Sequence, residues 1–374
     1  MRYRKFGNTG LEISALGFGA MRLPILQTAN GNEINEEEAI KMIRLAIDNG
    51  VNYVDTAYPY HGGKSEILVG KALKDGYRDQ TYLATKSPVW AIKKPEDFDR
   101  LLDEQLEKLD VEYIDFYLLH ALSLDRWNDT VLKYDLLSRM EQAKADGKIR
   151  YIGFSFHDEY EAFETILNGY DKWDFCQIQL NYINTDYQAG LKGFRNAAEK
   201  GLGVIIMEPL LGGKLAIPPK GVQDVLSKDK TPVEWSLDYL WNMEEVSLLL
   251  SGMSDMTQTM DNLSYADRSS IGMLTPNDIK MLEHAKVVFD TMALVPCTKC
   301  AYCMPCPFGL DIPKTFEAYN TTASVNMEKA SELYTEIETK ADACRKCKAC
   351  EKECPQHIKI SELMPTIHEV FQTK

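Results

Sequence analysis

The sequence predicts an α/β fold, a (β/α)8 barrel of the TIM type with a short N-terminal hairpin, followed by a small, mainly α-helical ferredoxin-like cysteine domain. Three observations carry this. Apolar runs of strand length alternate with amphipathic helical stretches eight times in about 260 residues, the count that a closed parallel barrel needs. No G-x-G-x-x-G opens a helix after the first strand, as the rival open doubly wound sheet would want. Polar residues suited to chemistry stand at the ends of several different strands, not at one switch point.

Residues 1–14 read as a hairpin, with Tyr3 and Phe6 before a turn at Gly7 to Gly10 and Leu11 and Ile13 after it. The first barrel strand is 15–23, with a glycine-rich end, and 36–50 is an amphipathic helix with a glycine stop. Strands two to four fall at 53–57, 81–86 and 113–120, with helices near 65–74, 95–109 and 131–144. Strands five to eight fall at 149–156, 175–181, 202–209 and 246–253, with helices near 159–167, 191–200, 233–241 and 257–266. A further helix over 275–293 closes the barrel domain, 1–293. In the remaining 294–374, two cysteine-rich runs flank a helical segment that includes 327–340, and a last helix lies near 361–371.

With 374 residues, 45% of them hydrophobic, the chain can fill a sizeable core. A formal charge of −14 argues against nucleic acid or a membrane surface as partner, since both want a basic face. The N-terminus lacks the apolar core of a signal peptide and no segment reaches 18 uninterrupted apolar residues, so the expected location is cytoplasmic. Of nine cysteines only Cys176 lies outside the C-terminal region, where the other eight form two tight groups. In a cytosolic chain that pattern reads as metal binding and not as cross-linking.

In a parallel barrel all strand C-termini face one rim, so Asp55, Lys86 and His120 should converge there, with Tyr60 in the loop after strand two. A phenol is a weak acid at neutral pH, and a nearby ammonium lowers its pKa by stabilising phenolate. Lys86 can supply that charge, Asp55 can hold Lys86 charged and oriented, and His120 can hydrogen-bond a substrate oxygen or relay a proton. A buried ion pair, a core histidine and a loop aromatic would each be ordinary taken singly; together they describe a proton-transfer site for a carbonyl. Tyr58 is a competing phenol, and the residues alone leave that choice open.

The blocks DTAYPYHGGKSE, YLATKS and YIDFYLLH resemble the active-site blocks of the aldo-keto reductase family, and the resemblance spans roughly residues 1–290. It implies that Tyr60, five residues after the strand-two aspartate, is the proton donor, with Asp55, Lys86 and His120 in the roles just argued. It further implies a nicotinamide cofactor, NAD or NADP, giving hydride to a small-molecule aldehyde or ketone. Ser155 and Gln179 match the residues that hold the carboxamide, while Phe156 stands where an asparagine is usual and Met207 where an aromatic stacks. Gly19, Ala20, Met21, Asp55, Pro209, Leu210 and Gly212 complete the implied cofactor contacts on the early and late strands. In the last block Ser254, Asp261 and Asn262 fit, whereas Gly252 and Gln258 replace basic residues that commonly hold a 2′-phosphate. Without a cation there, the charge-assisted preference for NADP over NAD is lost. A flavin such as FMN is the alternative occupant of the late-strand rim.

Cys344, Cys347, Cys350 and Cys354, followed by Pro355, have the C-x2-C-x2-C-x3-C-P spacing of a bacterial ferredoxin. Cys297, Cys300, Cys303 and Cys306, followed by Pro307, differ only in a last interval one residue shorter. Two 4Fe–4S clusters are the reading. Zinc also uses C-x2-C pairs but seldom three cysteines at consecutive three-residue steps. The fourth cysteine of each run in two-cluster ferredoxins ligates the other cluster, which would pair Cys354 with the first three and Cys306 with the second three. His357 reads as a surface or supporting residue. Nicotinamide moves two electrons and a cluster one, so the alternative is a ferredoxin-coupled flavin reductase on the same barrel, with ferredoxin or another electron carrier as partner. A non-enzymatic redox-sensing module is the third reading.

Overall fold

The computed structural model describes residues 1–28, 31–292, 294–324 and 327–372. Ala293, the last residue of the expected barrel domain, lies outside them. The chain forms two compact units, Met1–Pro209 with Leu237–Met273, and Leu210–Ser236 with Leu274–Lys374.

In the first unit, β1 (Tyr3–Lys5) and β2 (Glu12–Ser14) form the antiparallel hairpin. β3 (Leu16–Gly19) opens the barrel, and a second hairpin, β4 (Ile25–Thr28) with β5 (Gly31–Ile34), intervenes before the next barrel strand. Then follow β6 (Tyr53–Asp55), β7 (Tyr82–Ser87), β8 (Ile114–Leu122), β9 (Ile149–Phe156), β10 (Phe175–Gln179), β11 (Gly203–Met207) and β12 (Leu248–Ser251). These pair in sequence, and β12 closes onto β3.

Side chains alternate along a strand, so every second residue enters the barrel. The inward series starts apolar and ends polar: Tyr53 then Asp55, Ala84 then Lys86, Leu118 then His120, Phe175 then Gln177. Phe6 of the first hairpin joins the apolar layer, its ring 5.0 Å from that of Phe116 and 5.8 Å from that of Phe175. A greasy floor thus lies beneath a polar rim.

Three expectations change. The first barrel strand stops at Gly19, because residues Ala20–Arg22 turn into a 3-10 helix. The fourth runs on to Leu122 through an irregularity between Leu119 and Leu122, where Ala121 takes φ 52°. Its helix starts only at Leu136, after a π-helical stretch at Trp127–Leu132.

The second unit contains the helices Lys220–Val225, Pro276–Met292, Ile312–Ser324, Met327–Glu336 and Ile360–Gln372. Phe316, Tyr334, Ile358 and Met364 are among its core residues, with six of the cluster-motif cysteines packed at the edge. Lys340 closes the helix Met327–Glu336 by donating to the carbonyls of Tyr334, Thr335 and Ile337 at 2.6–2.9 Å. Among the described residues no helix is long and apolar enough to cross a membrane.

Candidate active site

Asp55, Lys86 and His120 meet at the rim because each lies one inward step above the apolar floor of its strand. The Lys86 ammonium donates to Asp55 Oδ1 at 2.6 Å, to Asp55 Oδ2 at 2.7 Å and to the Thr56 carbonyl at 2.8 Å. Both side chains are almost wholly buried. Burial pushes the Asp55 carboxyl up and the Lys86 ammonium down, and each opposes that shift in the other.

Tyr60 is buried, with its ring centroid 5.1 Å from Lys86 Nζ and 6.2 Å, edge-on, from His120. The turn behind it is tight: His61, Gly62 and Gly63 all take positive φ, and the His61 ring accepts from the Leu23 amide at 3.3 Å. Tyr58 faces elsewhere. Its hydroxyl donates to Glu104 at 3.1 Å and Lys108 sits 3.9 Å from its ring. Burial, with the Lys86 charge second, holds His120 well below the ordinary imidazole pKa, so it is neutral at working pH.

Several supporting residues were not read from the sequence. Trp90 stands 5.1 Å from the His120 ring and is exposed enough to wall a substrate space. Behind Lys86, Gln105 donates to the Lys86 carbonyl at 3.1 Å and to Glu66 at 2.5 Å, and Thr85 donates to Glu66 at 2.7 Å. Ser65 links Thr56, at 2.9 Å, to the Ala20 carbonyl, at 3.1 Å. These bonds span distant sequence positions, so no local pattern announces them.

Most of the residues expected to contact a cofactor lie on strand ends and turns of the first unit, and two, Leu210 and Gly212, fall in the second. Gly19 ends β3, close to the Ser251 carbonyl, with Ala20 and Met21 in the turn after it. Ser155 accepts from the Ala121 amide at 2.7 Å. Gln177, paired in register with Ser155, directs Nε2 to Met207 Sδ at 3.5 Å, and its buried Oε1 has no hydrogen-bond partner. Gln179 lies one inward step higher on β10. Pro209 follows β11, while Leu210 and Gly212 belong to the second unit. After β12, the Gln258 side chain accepts from the Ser254 amide and donates to Asp255, so it is engaged in capping its own helix. Asn262 donates to Ser251 at 3.1 Å, and Asp261 is exposed. Gly252 has the aliphatic stem of Arg22 over it, 3.3 Å from where a β-carbon would lie. The stem of Arg22, from the turn after β3, thus packs beside the last block.

In the second unit, Cys297, Cys300, Cys303 and Cys354 line one cavity of about 300 Å³, mouth included, whose other walls include Ile312, Phe316 and Ile358. Cys350 in turn lies within electrostatic reach of Cys344 and Cys306. Burial pushes the Cys303 thiol up to about 12 and the Cys350 thiol up to about 11, so neither is a thiolate at neutral pH until a cationic centre binds. Among the described residues no three such ligands close around a single ion. A cubane, which takes one thiolate on each of four irons, spaces its cysteines more widely.

The sequence profile of the Aldo/keto reductase family matches residues 15–218. The chain belongs to that family. It is an oxidoreductase of the aldo-keto reductase type, and a 4Fe-4S dicluster domain profile matches residues 293–358. L-galactose dehydrogenase of Arabidopsis thaliana is 29% identical over 299 residues, 72% of this chain and 90% of that protein. Aldo-keto reductase YhdN of Bacillus subtilis (strain 168) is 35% identical over 164 residues, 41% of this chain and 47% of that one. Among solved structures, aldo-keto reductase AKR11C1 from Bacillus halodurans, holo form, superposes with a TM-score of 0.64 at 24% identity, covering 76% of this chain and 96% of its own. An aldo/keto reductase from Klebsiella pneumoniae in complex with NADP and acetate gives 0.61 at 20% identity, with 75% and 94% covered. At such identities these two likenesses concern the fold.

Proposed function

We propose that the protein reduces an aldehyde or ketone with hydride from NADPH or NADH, and that Tyr60 gives the proton. The observation that carries this reading is the buried Lys86 ammonium, held by both oxygens of Asp55 and placed 5.1 Å from the Tyr60 ring, with His120 beyond. The cation favours phenolate, which makes Tyr60 a stronger acid, and the low-dielectric surroundings magnify the effect. The proton on Tyr60 Oη passes to the substrate oxygen as negative charge gathers there. Neutral His120 orients that oxygen by a hydrogen bond and does not itself act as the acid.

The nicotinamide, when bound, supplies the hydride. The buried, unsatisfied Oε1 of Gln177 beside Ser155 and Met207 is a fitting acceptor for its carboxamide, with Gln179 nearer the mouth. The stem of Arg22 beside Gly252 makes Arg22 the residue to test for a 2′-phosphate contact, and a solved neighbour of this fold is a complex with NADP. We assign Cys297, Cys300, Cys303 and Cys354 to one 4Fe–4S cluster and Cys344, Cys347, Cys350 and Cys306 to the other, supported by the shared cavity of the first set.

Oxidation of NADPH and NADH over a panel of aldehydes and ketones tests the reaction. Tyr60→Phe should cut kcat/KM by about 10²–10⁴-fold, the usual worth of a general acid, with nucleotide affinity intact. If neither nucleotide binds the parent protein, the reading fails. The dicluster domain favours one second reading: a flavin in the site would join one-electron clusters to two-electron reduction, and flavin extraction from anaerobic protein decides it.

A further inference from the structure

The surface around the second cysteine run is positive although the chain carries a formal charge of −14. Residues 343–360 contain five cations, Arg345, Lys346, Lys348, Lys352 and Lys359, against the carboxylates Glu351 and Glu353. All five cations are exposed, and among the described residues none of them comes within 4 Å of a carboxylate oxygen, although the charges of Lys348 and Lys359 act on Glu351. Glu351 is turned inward to Ser361, accepting from its amide at 2.7 Å and its hydroxyl at 2.6 Å. Three lysines elsewhere in the same unit do pair with carboxylates. Lys299 pairs with Glu317 at 2.6 Å, Lys314 with Asp311 at 3.1 Å and Lys329 with Glu332 at 2.8 Å.

The two cysteine sets differ in the same way. The first lines an apolar cavity walled by Ile312, Phe316 and Ile358. In the second, Cys347 is exposed, and its neighbours Lys346 and Lys348 take φ 54° and 60°, so the chain turns left-handed on both sides of it. Cys347 is thus exposed in a run where cations outnumber carboxylates five to two. A partner of opposite charge would use those cations.

We propose that this face docks a small, acidic, one-electron carrier protein, and that electrons enter or leave through the cysteine set of Cys344, Cys347, Cys350 and Cys306. The inference rests on the cluster assignment above and not on Tyr60 chemistry. In the transfer, one electron leaves the carrier and one enters the protein; no bond forms or breaks and no proton moves. Complementary charge steers such an encounter and sets its orientation while keeping it brief enough for turnover. The run 343–360 has no Phe, Tyr or Trp on which a base could stack, and the rest of the chain repels a long polyanion, which weighs against nucleic acid.

The test uses the full chain, loaded anaerobically, and a purified acidic two-cluster bacterial ferredoxin. Titration should show binding that weakens at least about tenfold between low salt and several hundred millimolar NaCl, as screening predicts. Lys352→Glu/Lys359→Glu should weaken it by about tenfold or more and slow stopped-flow electron transfer in parallel, with iron content and visible spectrum unchanged. Lys200→Glu, on an exposed barrel residue, should change nothing. Should the double variant lose its clusters, neutralising the ferredoxin's carboxylates chemically must weaken binding to the parent protein to the same degree. Absence of ferredoxin binding at low salt, binding indifferent to either charge change, or tighter binding of single-stranded RNA through the same lysines overturns the proposal. Tyr60→Phe must retain ferredoxin binding and electron uptake, which separates failure here from failure of the carbonyl reaction.

Discussion

Burial works against the charge on both Asp55 and Lys86, and each favours the charge on the other. Lys86→Met should therefore cost about 3–5 kcal/mol in denaturant melts, because it strands a buried carboxylate, and Asp55→Asn/Lys86→Met should recover most of that loss. Equal melts for the single and double variants would contradict the pairing. His120 makes a prediction in pH. In the unfolded chain its imidazole takes a proton as pH falls through the ordinary 6.5, while in the folded chain burial keeps it neutral to a much lower pH. The unfolded state then holds the extra proton, so stability declines below that point, by up to about 1.4 kcal/mol per pH unit for this one group. His120→Gln should flatten that stretch of the stability profile by a matching amount.

At the scale of elements, the helices Ser65–Ala72 and Glu96–Leu109 carry Glu66 and Gln105, which brace the strand bearing Lys86. They can approach because residue 70 is glycine; a β-carbon there would collide with the Leu109 carbonyl. Gly70→Ala should cost about 1–3 kcal/mol, the usual price of overpacking, and lower kcat with little change in nucleotide affinity. An unaltered melting midpoint would mean that the helices part freely. Elements such as β9 were legible to the residue, since an apolar run there ends at clear turn signals. The end of β3 was not, because GFGAMRL is nearly all apolar or glycine and such a run does not distinguish a strand from a 3-10 turn. The β4–β5 hairpin was missed because β4 is exposed along its whole length and lacks alternation. Asp55, Tyr60, Lys86 and His120 stood out as strand-end chemistry, whereas Gln177, Glu66 and Arg22 acquire meaning only from neighbours brought in by the fold.

For the whole molecule, the second unit has a small apolar core edged by cysteines, so bound clusters should contribute much of its stability. Removing iron with a chelator should abolish one calorimetric transition and leave the barrel's transition near its original temperature; a single transition shifted as a whole would refute that independence. The second unit also begins early in the chain. Leu210–Ser236 packs with residues from Leu274 onward, although the intervening Leu237–Met273 belongs to the barrel. During synthesis this segment leaves the ribosome before the helix Pro276–Met292, against which it packs, exists, a wait of roughly three to thirteen seconds at ordinary elongation rates. Until that helix emerges it must be tolerated as loose chain or sheltered by a chaperone. The order of translation, as well as the supply of iron and sulfide, therefore limits how quickly a newly made molecule becomes complete.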